Sequence, residues 1–340
     1  MYQLSDIRTL HLEMTERCQA GCPFCPRHLE DGSVNPNLIN AELSLFDCRR
    51  YFNKSFVQQL DKMLMCGNYG DPIVASESLE VLEYFRDNNL RMALDVHTNG
   101  GARTKIWWKD LASVLYNDNS QVIFSIDGLQ DTNHVYRKGV NWNKVMDSAE
   151  AFIEAGGNAV WSFIVFRHNE HQVDEARRIA DKMGFRKFVA KKSARFATTR
   201  GKNNVDLQPP RNEEYQNKNL KVLAEIANIH GTIEDFYNQT EIECVVANEK
   251  SIYVSARGLL FPCCWLGGIH DQRNDQQFRK LVGSLDKIDL NKSSVEQVFA
   301  SGAFDDVKRT WSCSSTAAGK LRTCAKTCSK QHNFFKAQFT

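Results

Sequence analysis

Cys18, Cys22 and Cys25 lie in the run Thr15-Glu16-Arg17-Cys18-Gln19-Ala20-Gly21-Cys22-Pro23-Phe24-Cys25-Pro26-Arg27, a CxxxCxxC triplet. It follows the alternating stretch Leu10-His11-Leu12-Glu13-Met14. Thiolates are soft metal ligands, and an iron–sulfur cube normally takes four of them. Three are one short of a closed site. One iron then keeps a position open for something other than protein, and an open position is where metal chemistry happens. On the triplet alone the alternative is a zinc loop with a distant fourth ligand, although structural zinc ordinarily uses two paired knuckles.

The chain holds eleven cysteines, an odd number, and they cluster. Where disulfides are disfavoured, clustered cysteines read as metal ligands or catalysts. Beside the front triplet stands a back group: Cys244, Cys263, Cys264, Cys313, Cys324 and Cys328. Cys48 and Cys66 stand alone and read as packing residues, as a free cysteine often does. His11 and His97 likewise read as strand-end packing residues.

The elements that must position these groups are legible in the periodicity. Apolar runs at Leu10–Met14, Met63–Cys66, Met92–Val96, Val122–Ile126, Val160–Val165 and Phe188–Ala190 read as strands. Amphipathic stretches between them, at about 45–60, 76–88, 105–116, 142–155 and 170–183, read as helices. Asn141 and Asn169 are expected N-caps, and Gly156-Gly157 and Gly184 expected helix stops. Strands alternating with helices imply parallel βαβ units with the active site at the strands' C-terminal ends. A polar connection follows near 196–212, with Arg200-Gly201-Lys202-Asn203-Asn204 and Pro209-Pro210, then a helix at about 213–230. The tail from about Glu243 changes to short strands, turns and cysteines. Cys244 and Cys263 flank an expected hairpin with arms Ser251–Ser255 and Leu259–Pro262, turning at Ala256-Arg257-Gly258. The net charge of +2 gives no basic field, so no nucleic-acid partner is expected. The absence of a membrane-length apolar run or a signal-like start predicts a cytoplasmic protein with no membrane partner.

The triplet, with Phe24 before its third cysteine, resembles the radical S-adenosylmethionine (SAM) superfamily, and the resemblance spans about residues 8–330. It implies an α/β fold: a partial (β/α)6 barrel over 5–195, a linker and helix over 196–241, and a small α+β cysteine-rich domain of the twitch or SPASM type over 242–332. It implies a [4Fe-4S] cluster on Cys18, Cys22 and Cys25, with SAM chelating the open iron. One electron from a reductant such as flavodoxin or ferredoxin would split SAM, and the 5′-deoxyadenosyl radical would take hydrogen from a substrate. Gly67, Asn68, Tyr69, Gly70, Asp71 and Pro72 resemble the family's GGEP motif, with Asp71 in place of the usual Glu. Asn99, in His97-Thr98-Asn99-Gly100, matches a strand end of the SAM pocket. Ser125 and Asp127 are the expected ribose contacts. Arg137 is either a contact to the SAM carboxylate or a surface residue.

The pattern C-x13-G-x4-C from Cys244 to Cys263 resembles the opening signature of SPASM and twitch domains. With the closing CxxxC it implies one auxiliary [4Fe-4S] cluster on Cys244, Cys263, Cys324 and Cys328, with Cys313 the alternative to Cys324. A zinc ribbon is the other reading of the same residues. Cys264 occupies the place of an acidic general base in sulfatase-maturating relatives. A thiol there is an expected catalytic residue, giving hydrogen to a substrate radical, which suits epimerisation or a redox-neutral outcome. The implied activity is an oxidoreductase- or epimerase-type modification of a peptide side chain or a small molecule. The start of the chain about ten residues before the first strand weighs toward the small molecule. The rival from another class is a non-enzymatic iron–sulfur or zinc protein for electron transfer or scaffolding.

Overall fold

The structure, a computed structural model, describes residues 1–193, 196, 207–217, 226, 228–270 and 276–331. The connection read at 200–204 and half of the helix read at about 213–230 lie outside the described residues; the described start of that stretch is a single 3-10 turn, Glu213–Tyr215, and not the expected helix. Eight strands form one sheet: β1 (Thr9–Leu12), β2 (Lys62–Met65), β3 (Ala93–Thr98), β4 (Gln121–Ser125), β5 (Ala159–Ile164), β6 (Lys187–Lys191), β7 (Ser251–Val254) and β8 (Leu260–Phe261). Their order is β6-β5-β4-β3-β2-β1-β7-β8. The first six are parallel in chain order, so the sheet curves as a partial, open barrel. All six strands expected from the apolar runs are present.

Alternation decides which face each side chain takes, since residues in register share a face. Leu10, Leu12, Met63, Met65, Leu94, Val96, Val122 and Phe124 point outward and are buried. There they meet α1 (Leu45–Tyr51), α2 (Lys54–Gln59), α3 (Ser78–Asn88), α4 (Lys105–Val114), α5 (Asn133–Tyr136), α6 (Trp142–Glu154) and α7 (Val173–Met183). Trp108 of α4 packs 5.2 Å from the Phe124 ring, and Trp161 lies 5.4 Å from Phe185. Burying such aromatic surface is worth about 1.5–3 kcal/mol per side chain. The concave face carries His11, Leu64, His97, Ser125, Ser162 and Tyr253, most of them half-buried.

Helix signals hold with one exception. The Asn141 side chain accepts from Lys144 N at 3.0 Å and caps α6. Gly184 ends α7 at φ 84°. Asn169, the expected cap of the next helix, has its amide engaged elsewhere. It accepts from Phe166 N and donates to Asp127 O and Ile164 O, stitching the ends of β4 and β5.

The hairpin of the cysteine-rich tail belongs to this same sheet. β7 runs parallel to β1 in the register Thr9↔Ser251 to Leu12↔Val254, and β8 returns antiparallel to β7. No helix among the described residues is long and apolar enough to cross a membrane.

Candidate active site

The loop after β1 carries the triplet to the rim formed by the strands' C-terminal ends. Two backbone turns, Cys25 N to Cys22 O at 3.0 Å and His28 N to Cys25 O at 3.1 Å, fix the cysteines' relative positions. Glu16 anchors the loop. Its carboxylate accepts from Ile39 N, Ala41 N and Arg257 Nε, the last at 2.6 Å, and so ties the loop to the turn after β7. Gly21 N donates to Lys138 O at 2.8 Å, joining it to the segment after α5. Phe24 is buried among Tyr136, Phe166 and Phe196.

N–H groups surround the thiols. Cys18 Sγ receives Ala20 N at 3.4 Å and Asn99 Nδ2 at 3.6 Å. Cys22 Sγ receives Arg137 Nη1 at 3.7 Å. Burial first, then Asp71, pushes the Cys18 thiol up to about 12, and burial raises Cys22. A metal would reverse that by stabilising the thiolates. Donors aimed at sulfur suit thiolate ligands, so the residues fit an iron–sulfur cluster. Among the described residues no three His, Cys, Asp or Glu side chains are grouped to hold a single metal ion. A four-iron cube spreads its thiolates over separate irons and sets no such requirement.

The loop after β2, Gly67 to Pro72, lies against the triplet loop. A Cβ on Gly70 would stand 1.8 Å from Thr15 O, and one on Gly67 would stand 2.6 Å from Gly70 O. Only glycine permits this approach. Asp71 caps the turn at Pro72 through Ile73 N and accepts Asn99 N at 2.8 Å. Asn68 Nδ2 donates to Cys264 O at 2.9 Å. Ser125 faces Ser162 on the concave side, at the end of β4.

Asp127, the residue named for the ribose side, lies behind Arg137. It is wholly buried, with Oδ1 accepting Ile164 N and Oδ2 accepting Arg137 Nε, both at 2.6 Å. Both oxygens are engaged within the protein, and Oδ2 orients Arg137. Arg137, largely buried, points at Cys22 and is not a surface residue.

Sequence reasoning missed Glu13. This buried carboxyl accepts Tyr69 N at 2.7 Å, Gly70 N at 3.4 Å and the Tyr253 hydroxyl. Burial pushes its pKa up to about 7, against the lowering effect of those bonds. An acidic residue at an inward position of an alternating strand was the signal available. His11 and His97, read as packing residues, lie on the concave face with burial holding their imidazoles down to about 4 and about 3.

In the tail, Cys244, Cys263, Cys324 and Cys328 line one cavity with Leu266 and Trp311. Cys313 lies outside that lining, in contact range of Gly319. The Cys244 and Cys328 thiols are within hydrogen-bonding reach of each other. Trp311 Nε1 is buried and directed at the Cys324 thiol. A sulfide or thiolate sulfur would satisfy it, and the apolar lining with four thiols fits a second cluster. Cys264 lies beside this wall. Burial, then Cys66, pushes its thiol up to about 12.

No protein-family model matches the sequence, and no curated protein matches it. Solved structures do. The chain is similar to histidine-tagged anSMEcpe with bound AdoMet (SAM), at 15% identity and TM-score 0.56, covering 98% of this chain and 91% of that one. It is similar to BtrN in complex with AdoMet and 2-DOIA, at 12% identity and TM-score 0.50, covering 98% and 97%. It is similar to Streptococcus suis SuiB bound to precursor peptide SuiA, at 14% identity and TM-score 0.50, covering 77% of this chain. It spans 61% of SuiB's length. At such identities the likeness is one of fold: the partial barrel of radical SAM enzymes, with a cysteine-rich C-terminal region.

Proposed function

We propose that the protein is a radical SAM enzyme with one auxiliary cluster. One observation carries the reading: the CxxxCxxC thiols stand at the C-terminal rim of a partial parallel barrel, with N–H donors directed at two of the three sulfurs. A reduced three-cysteine cluster with SAM supplies a 5′-deoxyadenosyl radical, which abstracts hydrogen. The protein's part is to hold and orient. Cys18, Cys22 and Cys25 are the ligands, and the Gly67–Pro72 loop, braced by Glu13, offers its backbone to the amino acid portion of SAM. Ser125 and the half-buried concave face are the polar wall on which ribose and substrate rest. Cys244, Cys263, Cys324 and Cys328 hold the auxiliary cluster, supported by their common cavity. Cys264 Sγ is the group that gives a hydrogen atom to the substrate radical, and an electron from the same reductant with a proton would return its thiyl to the thiol.

The substrate is a peptide side chain or a polar small molecule. SuiB binds a precursor peptide and BtrN binds 2-DOIA, so the fold accommodates both. The electron source is a one-electron reductant such as a flavodoxin or ferredoxin, and the cytoplasm is the expected compartment.

Anaerobic reconstitution tests the proposal. The protein should bind on the order of eight irons as two four-iron cubes. On reduction it should convert SAM to 5′-deoxyadenosine, and Cys18→Ala should abolish that conversion. A protein that saturates its irons with side chains and leaves SAM intact is an electron-transfer or scaffold protein instead. Once deuterium transfer from a labelled candidate identifies the substrate, Cys264→Ala should retain iron and SAM cleavage but lose product. Unchanged product rules out a catalytic Cys264.

A further inference from the structure

Two side chains named as SAM contacts on the resemblance also reach the cysteines. Asn99 Nδ2 is 3.6 Å from Cys18 Sγ, and Arg137 Nη1 is 3.7 Å from Cys22 Sγ. Both are held from behind. Asn99 Oδ1 accepts Gln19 Nε2 at 2.6 Å and Gly101 N at 2.9 Å, so the amide cannot flip without facing two donors with a third. Its backbone N is fixed on Asp71. Arg137 is clamped by Asp127 and lies over the Tyr136 ring at 5.2 Å. Asp127 in turn is held by Ile164 N, and its own N donates to Asn133 Oδ1.

We propose that Asn99 and Arg137 set how readily the cluster on Cys18, Cys22 and Cys25 accepts an electron, with Asp127 as the positioning residue that balances the guanidinium charge. The inference rests on reading the triplet as an iron–sulfur site. The physics is that an added electron increases negative charge on the cluster and its thiolates. A donor directed at sulfur stabilises that charge and raises the reduction potential. Asn99 contributes a neutral dipole. Arg137 contributes an N–H and a positive charge, but Asp127 places an opposite charge on the same guanidinium. The pair therefore acts on Cys22 mainly through its directed N–H. In this buried setting the charge balance matters, because little water screens it.

The balance makes opposite-signed predictions from two substitutions of nearly unchanged shape. Asn99→Asp keeps the acceptor for Gln19 and Gly101 but turns an anionic oxygen toward Cys18, so the reduced state loses support. Asp127→Asn keeps its one oxygen for Arg137 Nε at the expense of the Ile164 N bond and removes the negative charge, so Arg137 stands uncompensated beside Cys22 and the reduced state gains support. Each should change the reduction equilibrium about tenfold, about 59 mV for one electron, the first downward and the second upward. Asn99→Ala, which removes the donor without adding charge, should move the potential in the same direction as Asn99→Asp and by less.

The test is a potentiometric titration followed by electron paramagnetic resonance on reconstituted full-length protein, reading the reduced-cluster signal that changes when SAM is added. Iron content is measured in parallel. Opposite shifts at undiminished iron content support the inference. Unmoved potentials, or shifts of one sign in both isosteric variants, overturn it while leaving the triplet's assignment intact. A wild-type protein with no SAM-responsive signal overturns the assignment and the inference with it. Loss of iron from all three variants also overturns it, since these residues would then be needed to build the site and not to tune it.

Discussion

Glu13 brings its carboxyl group to the end of β1, where burial favours the neutral acid. The sign of the effect on stability follows directly. The folded pKa of about 7 lies above the usual carboxylate value of 4.5. Below the usual value both folded and unfolded chains hold the proton, and folding carries no penalty. As pH rises toward 7 the unfolded chain releases the proton while the folded chain keeps it, so stability falls by about 3 kcal/mol and then levels off. Glu13→Gln should flatten this slope in urea-unfolding midpoints of the cluster-free protein between pH 4.5 and 7; an equal slope in both proteins would show that Glu13 is not its source. Residues of this kind are hard to find in a sequence. The three front cysteines announce themselves by spacing, because all three fall within eight residues of one loop. Glu13, Asn99 and Asp127 act through partners that lie 10 to 240 positions away, and no local pattern encodes such partners. Asp127 and Arg137 stand out in the sequence by their places after β4, but only the fold reveals that they face each other.

At the level of elements, strands and helices were legible because burial on one face writes a period of two or of 3.6 into the sequence. The loops that make the site carry no period, and their shape depends on close approach. Gly70 is the clearest case. In sequence it is one turn glycine among several; in the structure the backbone of Thr15 occupies the space where a side chain would begin. Gly70→Ala should force the triplet loop and the Gly67–Pro72 loop apart. The expected cost is about 2–4 kcal/mol, read as a lower thermal midpoint, together with loss of SAM binding by equilibrium titration. A variant that binds SAM as wild type does would show that the two loops need not touch. Asn169 shows the complementary effect. An asparagine before a helix is a good cap in isolation, but the ends of β4 and β5 compete for its amide and win.

Across the whole molecule, the sequence separates a barrel from a cysteine-rich tail by composition, and the sheet joins them. β1 has β2 on one side and β7 on the other, and Tyr253 of β7 donates to Glu13. A chain ending at residue 241 would lack β7 and leave the flank of β1 unpaired, an open edge of the kind that aggregates. Such a truncation should be insoluble or unfolded by circular dichroism, and the full chain should lose barrel and cysteine-rich tail in a single thermal transition. A soluble, folded 1–241 fragment would show that the barrel stands alone. The same pairing has a consequence during synthesis. Glu13 and Tyr253 lie 240 residues apart, and at ribosomal speed that distance takes roughly 10–50 seconds to translate. For that interval the nascent front strand waits with a bare margin and its neighbouring thiols open to oxidants. A holding chaperone during that delay should raise the yield of intact protein.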